Sequence, residues 1–343
     1  MNLRIGIVGA TGIVGMELLS LLEERKISVA ALRLFASEKS TGKRVYFSGQ
    51  TFPVEKLEMG KLENFDYLFF CAGTSVSREF IPAAAASGIC CIDNSSAFRG
   101  YDDVPLVIPE INPHALLGHK NIIANPNCST IIALMAIFPL HQMFGLRRFC
   151  AATYQAVSGV GCSGMRALEE EIADSHSLAE KIFGERILSN AIPKIGDFSP
   201  NGYTSEEVKM LNESRKILSL PDLRVSATCV RIPVKRVHSI AAIVEFHEPF
   251  DMRLGEQILQ QNNSIDFFQH NEFPCPLRRE NMDNVAVGRL RSDTFLDNAV
   301  SLWIVGDQVR KGAALNALQI MEKLELLRLP KILRQGPETA SGR

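Results

Sequence analysis

The sequence predicts a two-domain α/β protein: a parallel, doubly wound sheet first, then a domain of mixed α+β character. Short apolar runs at residues 4–8, 32–36, 67–71, 90–93 and 121–124 alternate with helical stretches, the pattern that builds a parallel sheet. After Cys128 the pattern changes. Two strand-like runs at 223–231 and 239–246 are joined by a short loop, which reads as an antiparallel hairpin. With 343 residues, 46% hydrophobic and 22% charged, the chain can bury a core for each domain.

The first unit is the most informative. A buried strand at 4–8 runs into Gly9-Ala10-Thr11-Gly12-Ile13-Val14-Gly15 and then into an amphipathic helix from Met16 to Leu22. Glycines let a backbone turn tightly and approach a pyrophosphate, while the N–H groups of a helix start hold the anion. The spacing is GxxGxxG, not GxGxxG, so the flanking strand and helix carry the dinucleotide reading, with Thr11, Ile13 and Val14 sharing the contact. The next strand, 32–36, ends where such folds choose between NAD and NADP, about twenty residues after the glycines. An acid there favours NAD. Here Ser37-Glu38-Lys39-Ser40 offers hydroxyls and a cation suited to a 2′-phosphate, so NADP is the expected cofactor, with Glu38 as a discordant acid.

Strand 67–71 ends in the small residues Ala72-Gly73-Thr74-Ser75, which would let a cofactor pass close by. A helix containing Ala83 to Ala86 follows, then strand 90–93 and the polar loop Asn94-Ser95-Ser96-Ala97-Phe98-Arg99. Each of these loops lies at the carboxyl end of a strand, where doubly wound sheets bind ligands. Beyond the long helix that starts near Cys128, 149–157 reads as a strand, Ser158-Gly159-Val160-Gly161 as a turn and 165–172 as a helix. The last periodic segment, 313–327, carries Leu315, Leu318, Ile320, Met321 and Leu324 on a stripe that needs a packing partner. Residues after Ile332 read as a frayed end.

Composition narrows the function. A net charge of −1 gives no global field for nucleic acid or an anionic membrane, and no apolar run is long enough to span a bilayer. The N-terminus enters a strand at once, without the apolar region of a signal peptide, so a cytoplasmic location is expected. In that compartment most of the eight cysteines are expected to be free thiols. No CxxC pair or His/Cys cluster stands at ligand spacing, so no metal is expected.

One stretch stands out, Asn125-Pro126-Asn127-Cys128-Ser129-Thr130, where a strand breaks at a proline and a helix begins. A cysteine in the first turn of a helix meets unpaired N–H groups and the positive end of the dipole, which favours a thiolate. An aldehyde cannot give up a hydride until a nucleophile adds to it, and a thiolate does this, leaving a thioester. Such chemistry needs an acid/base partner. His238 sits where the hairpin loop enters its second strand, seven positions after Arg231, so one sheet end gains a base and an anion-binding cation.

Eight stretches in order resemble the aspartate-β-semialdehyde dehydrogenase family. They are the segments 9–15, 72–75, 94–99, 125–130, 154–159, 201–209, 231–238 and 310–316. The resemblance implies a Rossmann-type NADP-binding domain, residues 1–127 plus 313–343, and a mixed α+β catalytic and dimerisation domain, residues 128–312. The C-terminal helix would return to the first domain. It implies a homodimer that reduces L-4-aspartyl phosphate with NADPH to L-aspartate 4-semialdehyde and phosphate, on the route to lysine, methionine and threonine. Cys128 would be the nucleophile, His238 the acid/base and Gln155 the residue that orients the reacting carbonyl. Arg231 would grip the substrate carboxylate and Glu206 its ammonium, with Asn127 and Ser158 shaping the pocket. Arg99 and Lys209 would hold phosphate; Gly9, Thr11, Gly12, Ile13, Val14, Gly15, Ser37, Lys39, Ser40, Gly73, Ser75, Gly159 and Asn316 would contact NADP. Two positions depart from the family pattern, Val237 for a frequent glycine and Ile240 for a frequent glutamate. The rival readings are an N-acetyl-glutamyl-phosphate reductase and a nucleotide-binding subunit without chemistry. Asn127-Cys128-Ser129 and Glu206 argue against the first, and the joint presence of Cys128, Gln155, Arg231 and His238 against the second.

Overall fold

The computed structural model describes residues 2–174, 177–269 and 271–328. The first domain runs β1 (Leu3–Val8), α1 (Ile13–Glu24), β2 (Val29–Ala36), β3 (Arg44–Phe47), β4 (Gln50–Lys56), β5 (Tyr67–Phe70), α2 (Thr74–Ala86), β6 (Cys90–Asp93) and β7 (Ile122–Ala124). The strands form one sheet in the order β3-β4-β2-β1-β5-β6-β7. Every pairing is parallel except the β3–β4 hairpin at the edge. β5 is buried at all four positions because helices cover both faces of the sheet, which is why it reads as an unbroken apolar run.

The chain then crosses through α3 (Cys128–Phe144) into β8 (Leu146–Gln155), α4 (Cys162–Ile172), α5 (Ala179–Phe183), α6 (Ser205–Leu218), β9 (Arg224–Arg231), β10 (His238–Phe246), α7 (Met252–Gln261), β11 (Ile265–Phe267), β12 (Val285–Ser292) and β13 (Ala299–Gly306). A π-helical turn, Arg310–Ala314, leads into α8 (Leu315–Arg328). α3 is apolar on nearly every face, with Ile131, Leu134 and Ile137 wholly buried. It fits that sequence because it lies against β8, β10, β12 and β13 with α6 and α7 on its flanks. α8 returns to the first domain. Leu318, Ile320 and Met321 join the core of Ile5, Leu18 and Phe69, and Tyr67 Oη donates to Glu325 at 2.6 Å. The segment beyond Arg328, which the sequence reading assigned to the first domain with a frayed end, lies outside the described residues.

The second sheet corrects the hairpin expected at 223–246. Its order is β11-β12-β13-β10-β8-β9, so β8 lies between the two strands, parallel to β9 and antiparallel to β10. Loop 232–237 does not close a turn; it crosses the end of β8 and satisfies that strand's outgoing backbone. Ile232 N–H donates to Gln155 O at 3.0 Å, Val157 N–H to Val234 O at 2.8 Å and Ser158 N–H to Lys235 O at 3.1 Å. The consequence is chemical. Gln155 ends β8 in register with Arg231 on one side, while Tyr154 faces Ser239, next to His238, on the other.

One face of this sheet packs on α3 and α7. The opposite face shows Cys150, Tyr154 and Ile243 to solvent, with the Trp303 ring tilted against Tyr154 at 5.5 Å between centroids. All eight cysteines are free thiols. Among the described residues, no His, Cys, Asp or Glu cluster could hold a metal ion, and no helix is long and apolar enough to cross a membrane.

Candidate active site

The helix start at Cys128 is built by its neighbours. Pro126 ends β7, and Asn127 takes an extended conformation as the N-cap of α3, its Oδ1 accepting from Ser129 N at 3.0 Å and Thr130 N at 3.2 Å. The π-helical turn lies directly on the cysteine: a Cβ added to Gly312 would stand 3.0 Å from Cys128 Cβ. This corrects the simple thiolate expectation. Two first-turn N–H groups are already taken by the Asn127 cap, and burial pushes the Cys128 thiol up to about 11, with Glu206 adding to the rise and Arg99 and Arg231 opposing it.

Cys128 Sγ lies 3.5 Å from His238 Nε2. His238 is wholly buried at the first position of β10, and its Nδ1 accepts from Ala156 N–H at 3.1 Å. Burial, then the charge of Arg231, push its pKa down to about 3 against the opposing pull of Glu206, so the ring is neutral at physiological pH. Gln155 Nε2 stands 3.4 Å from His238 Nε2 and donates to Glu206 Oε1 at 3.3 Å. Thr153, two residues back on the same face of β8, fixes that orientation by donating to Gln155 Oε1 at 2.9 Å.

The charged residues approach from β9 and α6. Arg231 is buried, with one Nη1 bond to Ala156 O; Gly159 makes room for it, since a Cβ there would stand 2.6 Å from Nη1. α6 is started by a capping box between Thr204 and Glu207. That start places Glu206, Lys209 and Glu213 at helical spacing on one face. Glu206 accepts from Asn127 Nδ2 at 2.8 Å and Lys209 Nζ at 3.0 Å. Burial acts to raise the Glu206 carboxyl, but Lys209 and the bonds from Asn127 and Gln155 outweigh it and hold the group below the usual range. Arg99 is clamped by Asn125 O at 2.9 Å, Asn94 O at 2.9 Å and Glu213 Oε1 at 3.0 Å.

Glu213 was not singled out from the sequence. It is buried, pairs with Arg99 and accepts from Asn127 N–H at 2.6 Å, so it ties the cation to the cysteine's helix start. Its signal was only the spacing from Glu206 and Lys209. Replacing Glu213 by Leu is expected to cost about 3–5 kcal/mol of stability, because the half-buried Arg99 is left without its carboxylate. Denaturant unfolding of the variant checks this; a loss below ~1 kcal/mol would show that Arg99 is held by its carbonyl partners alone.

Cys128, Asn127, Gln155, Arg231, Glu206, Lys209 and Arg99 line one cavity of about 380 Å³. Val14 of the nucleotide turn lines it too, together with Gln308 and Gly312. A wider groove of about 820 Å³ opens beside it and shares Ser96, Arg99 and Lys209.

The nucleotide turn fits a pyrophosphate. Gly9 has φ +85° and a Cβ on it would stand 2.5 Å from Cys71 O. α1 begins at Ile13 with no side-chain cap and no acid in its first turn, leaving its first N–H groups for an anion. Gly15 also packs the helix against the turn, since a Cβ there would overlap Gly9 O. Gly73 caps α2 without a side-chain bond and Ser75 is exposed on its first turn, at the end of the neighbouring β5. Ser37 and Lys39 are exposed after β2 with Ser40 beside them, and Glu38 faces Lys56 at 3.7 Å.

Two family models match the chain, one described as semialdehyde dehydrogenase, NAD binding domain, over residues 4–119, the other as semialdehyde dehydrogenase, dimerisation domain, over residues 137–311. An aspartate-semialdehyde dehydrogenase of Synechocystis sp. is 42% identical over 330 residues, covering 94% of this chain and 97% of its own. The chain belongs to the aspartate-semialdehyde dehydrogenase family. It is thereby an NAD(P)-dependent oxidoreductase. A second relative, aspartate-semialdehyde dehydrogenase 2 of Vibrio cholerae, is 42% identical with 94% of this chain and 97% of its own covered. A crystal structure described as aspartate semialdehyde dehydrogenase II of Vibrio cholerae complexed with ASA superposes with a TM-score of 0.92 at 40% identity, covering 96% of this chain and all of that one.

Within this family frame, the cavity gathers Cys128, Gln155, Arg231, Glu206, Lys209, Arg99, Asn127, Ser158 and Gly159, with His238 behind the sulfur. It does not gather Asn316. That residue is wholly buried, donates to Val107 O at 2.9 Å and Asn125 Oδ1 at 2.7 Å, and accepts from Lys311 at 3.0 Å. The first turn of α8 faces the first sheet, so its amide never reaches the cavity. Gln308, just past β13, lies there instead: it donates to Ser158 Oγ and accepts from Val237 N–H at 2.7 Å. No sequence pattern set Gln308 apart from Asn316.

Proposed function

We propose that the chain catalyses the reversible reductive dephosphorylation of L-4-aspartyl phosphate to L-aspartate 4-semialdehyde and inorganic phosphate through a thioester on Cys128, in the cytoplasm, on the route to lysine, methionine and threonine. The observation that carries this reading is a sulfur 3.5 Å from a buried imidazole, in a cavity shared by Arg231, Glu206 and Val14 of the nucleotide turn. Arg231 presents the rest of its fork to the substrate α-carboxylate, and Glu206 meets the ammonium, sharing its charge with Lys209. Gln155 directs its NH₂ toward the reacting carbonyl. Arg99, fixed by three partners, keeps two N–H groups for a phosphate oxygen, and Lys209 approaches from the facing helix. Asn127 and Ser158 complete the pocket walls.

NADP fits the Gly9–Gly15 turn through Gly9, Thr11, Gly12, Ile13 and Val14, with Ser37, Lys39 and Ser40 toward the 2′-phosphate and Gly73, Ser75 and Gly159 along its path. When bound, it supplies or receives the hydride. The reading divides the chain at 1–127 plus 313–343 for the nucleotide domain and 128–312 for the catalytic domain. The open sheet face of Cys150, Tyr154 and Ile243 is where a second copy would pack, in keeping with the dimerisation-domain match. The experiment is NADP reduction by L-aspartate 4-semialdehyde with and without inorganic phosphate. Phosphate-dependent turnover is expected; turnover indifferent to phosphate would overturn the reaction, and equal use of NAD would remove the role given to Ser37, Lys39 and Ser40.

A further inference from the structure

We infer that Lys216 is a positioning residue for the phosphate site: its ammonium holds the backbone of the loop that carries Arg99, and so sets where that guanidinium meets the phosphate. The inference rests on the phosphate role proposed above for Arg99 and Lys209. Its basis is three bonds from one nitrogen. Lys216 Nζ donates to Arg99 O at 3.0 Å, Tyr101 O at 2.6 Å and Val104 O at 2.8 Å. An ammonium has three donors and no acceptor, so all of it is committed to this loop. Lys216 lines the wider groove beside the cavity, yet it keeps no N–H for an anion there.

The loop has little else to fix it. Between the end of β6 at Asp93 and the 3₁₀ turn Pro113–Gly118 the chain forms no helix or strand, apart from a single bridge between Leu106 and Ala124. Two internal bonds shape the part that follows Arg99: Tyr101 N–H donates to Phe98 O at 3.1 Å and Val104 N–H to Tyr101 O at 3.2 Å. Tyr101, Asp102 and Asp103 are exposed. The carbonyls of Arg99, Tyr101 and Val104 converge on Lys216 in place of a ladder.

Helix α6 thereby holds Arg99 at both ends. Glu213 takes the guanidinium at 3.0 Å, and Lys216, three residues on, takes the carbonyl of the same residue. Lys209 bonds Glu206 and lines the cavity. Positions 209, 213 and 216 share one helix face, so a single element sets the spacing between the two phosphate cations. Cations in the last turn of a helix ordinarily meet its own final carbonyls. Lys216 stands in that turn of α6 and reaches instead to another segment. Burial disfavours its charge, against the pull of Asp102, Asp103 and Glu213.

Lys216→Met keeps the apolar stem and removes the donors. In semialdehyde oxidation it is expected to raise the KM for inorganic phosphate about tenfold or more, with the KM for the semialdehyde changed by less than about twofold, because a misplaced group is felt by the ligand it meets. Lys216→Arg keeps the charge but offers a planar fork in place of three converging N–H groups; it is expected to fold in any case and to show the same selective rise at about threefold. A folded Lys216→Met with an unchanged phosphate KM, or with both KM values raised alike, would overturn the inference. Should that variant not fold, the same pattern in Lys216→Arg would do so. Hydrogen exchange separates positioning from direct contact with the anion. Exchange over residues 98–106 is expected to quicken in the variant with no phosphate present, and unchanged exchange would overturn the positioning role. Failure of the proposed reaction would show instead as turnover indifferent to phosphate in the unaltered enzyme.

Discussion

Cys128→Ser is expected to lower turnover by about 10⁴-fold or more while leaving the fold intact, because Cys128 is the one thiol among the residues that line the cavity. Serine preserves the local structure: the Asn127 cap bonds the backbone of Ser129 and Thr130, not the side chain at 128. It also keeps the close contact with Gly312, which meets Cβ. What it loses is a nucleophile that can ionise. Arg99 and Arg231 pull the thiol down against burial, whereas a hydroxyl lies far beyond that pull. Steady-state assays in both directions check this, with a melting curve to show that the variant is folded. Retention of more than about one per cent of turnover would refute the nucleophile assignment.

Arg231→Leu is expected to raise the KM for the semialdehyde by about 10²–10³-fold with a smaller change in kcat. Arg231 is 3% exposed, its guanidinium has Ala156 O as its one hydrogen-bond partner among the described residues, and the side chain lines the cavity. A buried charge-assisted contact to a carboxylate is worth about 2–5 kcal/mol when one partner is removed. The effect on folding runs the other way, since burial already disfavours the charge on Arg231 and Leu removes that cost. Arg231→Lys is no substitute, because a point charge cannot reproduce the planar fork that Gly159 makes room for. An unchanged KM in Arg231→Leu would remove the carboxylate clamp from the account.

The sequence made some of this legible and hid the rest for physical reasons. Buried parallel strands such as Tyr67–Phe70 and Cys90–Asp93 announce themselves as apolar runs, and the long helix from Cys128 to Phe144 starts where it was expected. Pairing is a non-local property. Nothing in 223–246 reveals that β8 inserts between its two strands, although that insertion is what brings Gln155, Arg231 and His238 to one point. The edge hairpin at 44–56 went unread because its strands are short, half polar and interrupted by Pro53. Dipole reasoning at a helix start gave Cys128 a low pKa; burial and a capping side chain, invisible in a linear pattern, reverse it. Glu213, Thr153 and Gln308 were missed because each acts through a partner distant in sequence or by side-chain direction alone.

Mass analysis of the enzyme incubated with NADP and L-aspartate 4-semialdehyde in the absence of phosphate tests the central claim most directly. With no acceptor to release it, the aspartyl group is expected to accumulate as an adduct on the peptide containing Cys128, with NADPH formed in equal amount, and to disappear when phosphate is added. NADPH formation without an adduct, or an adduct on Cys150 or Cys162, the two exposed thiols, would contradict the account.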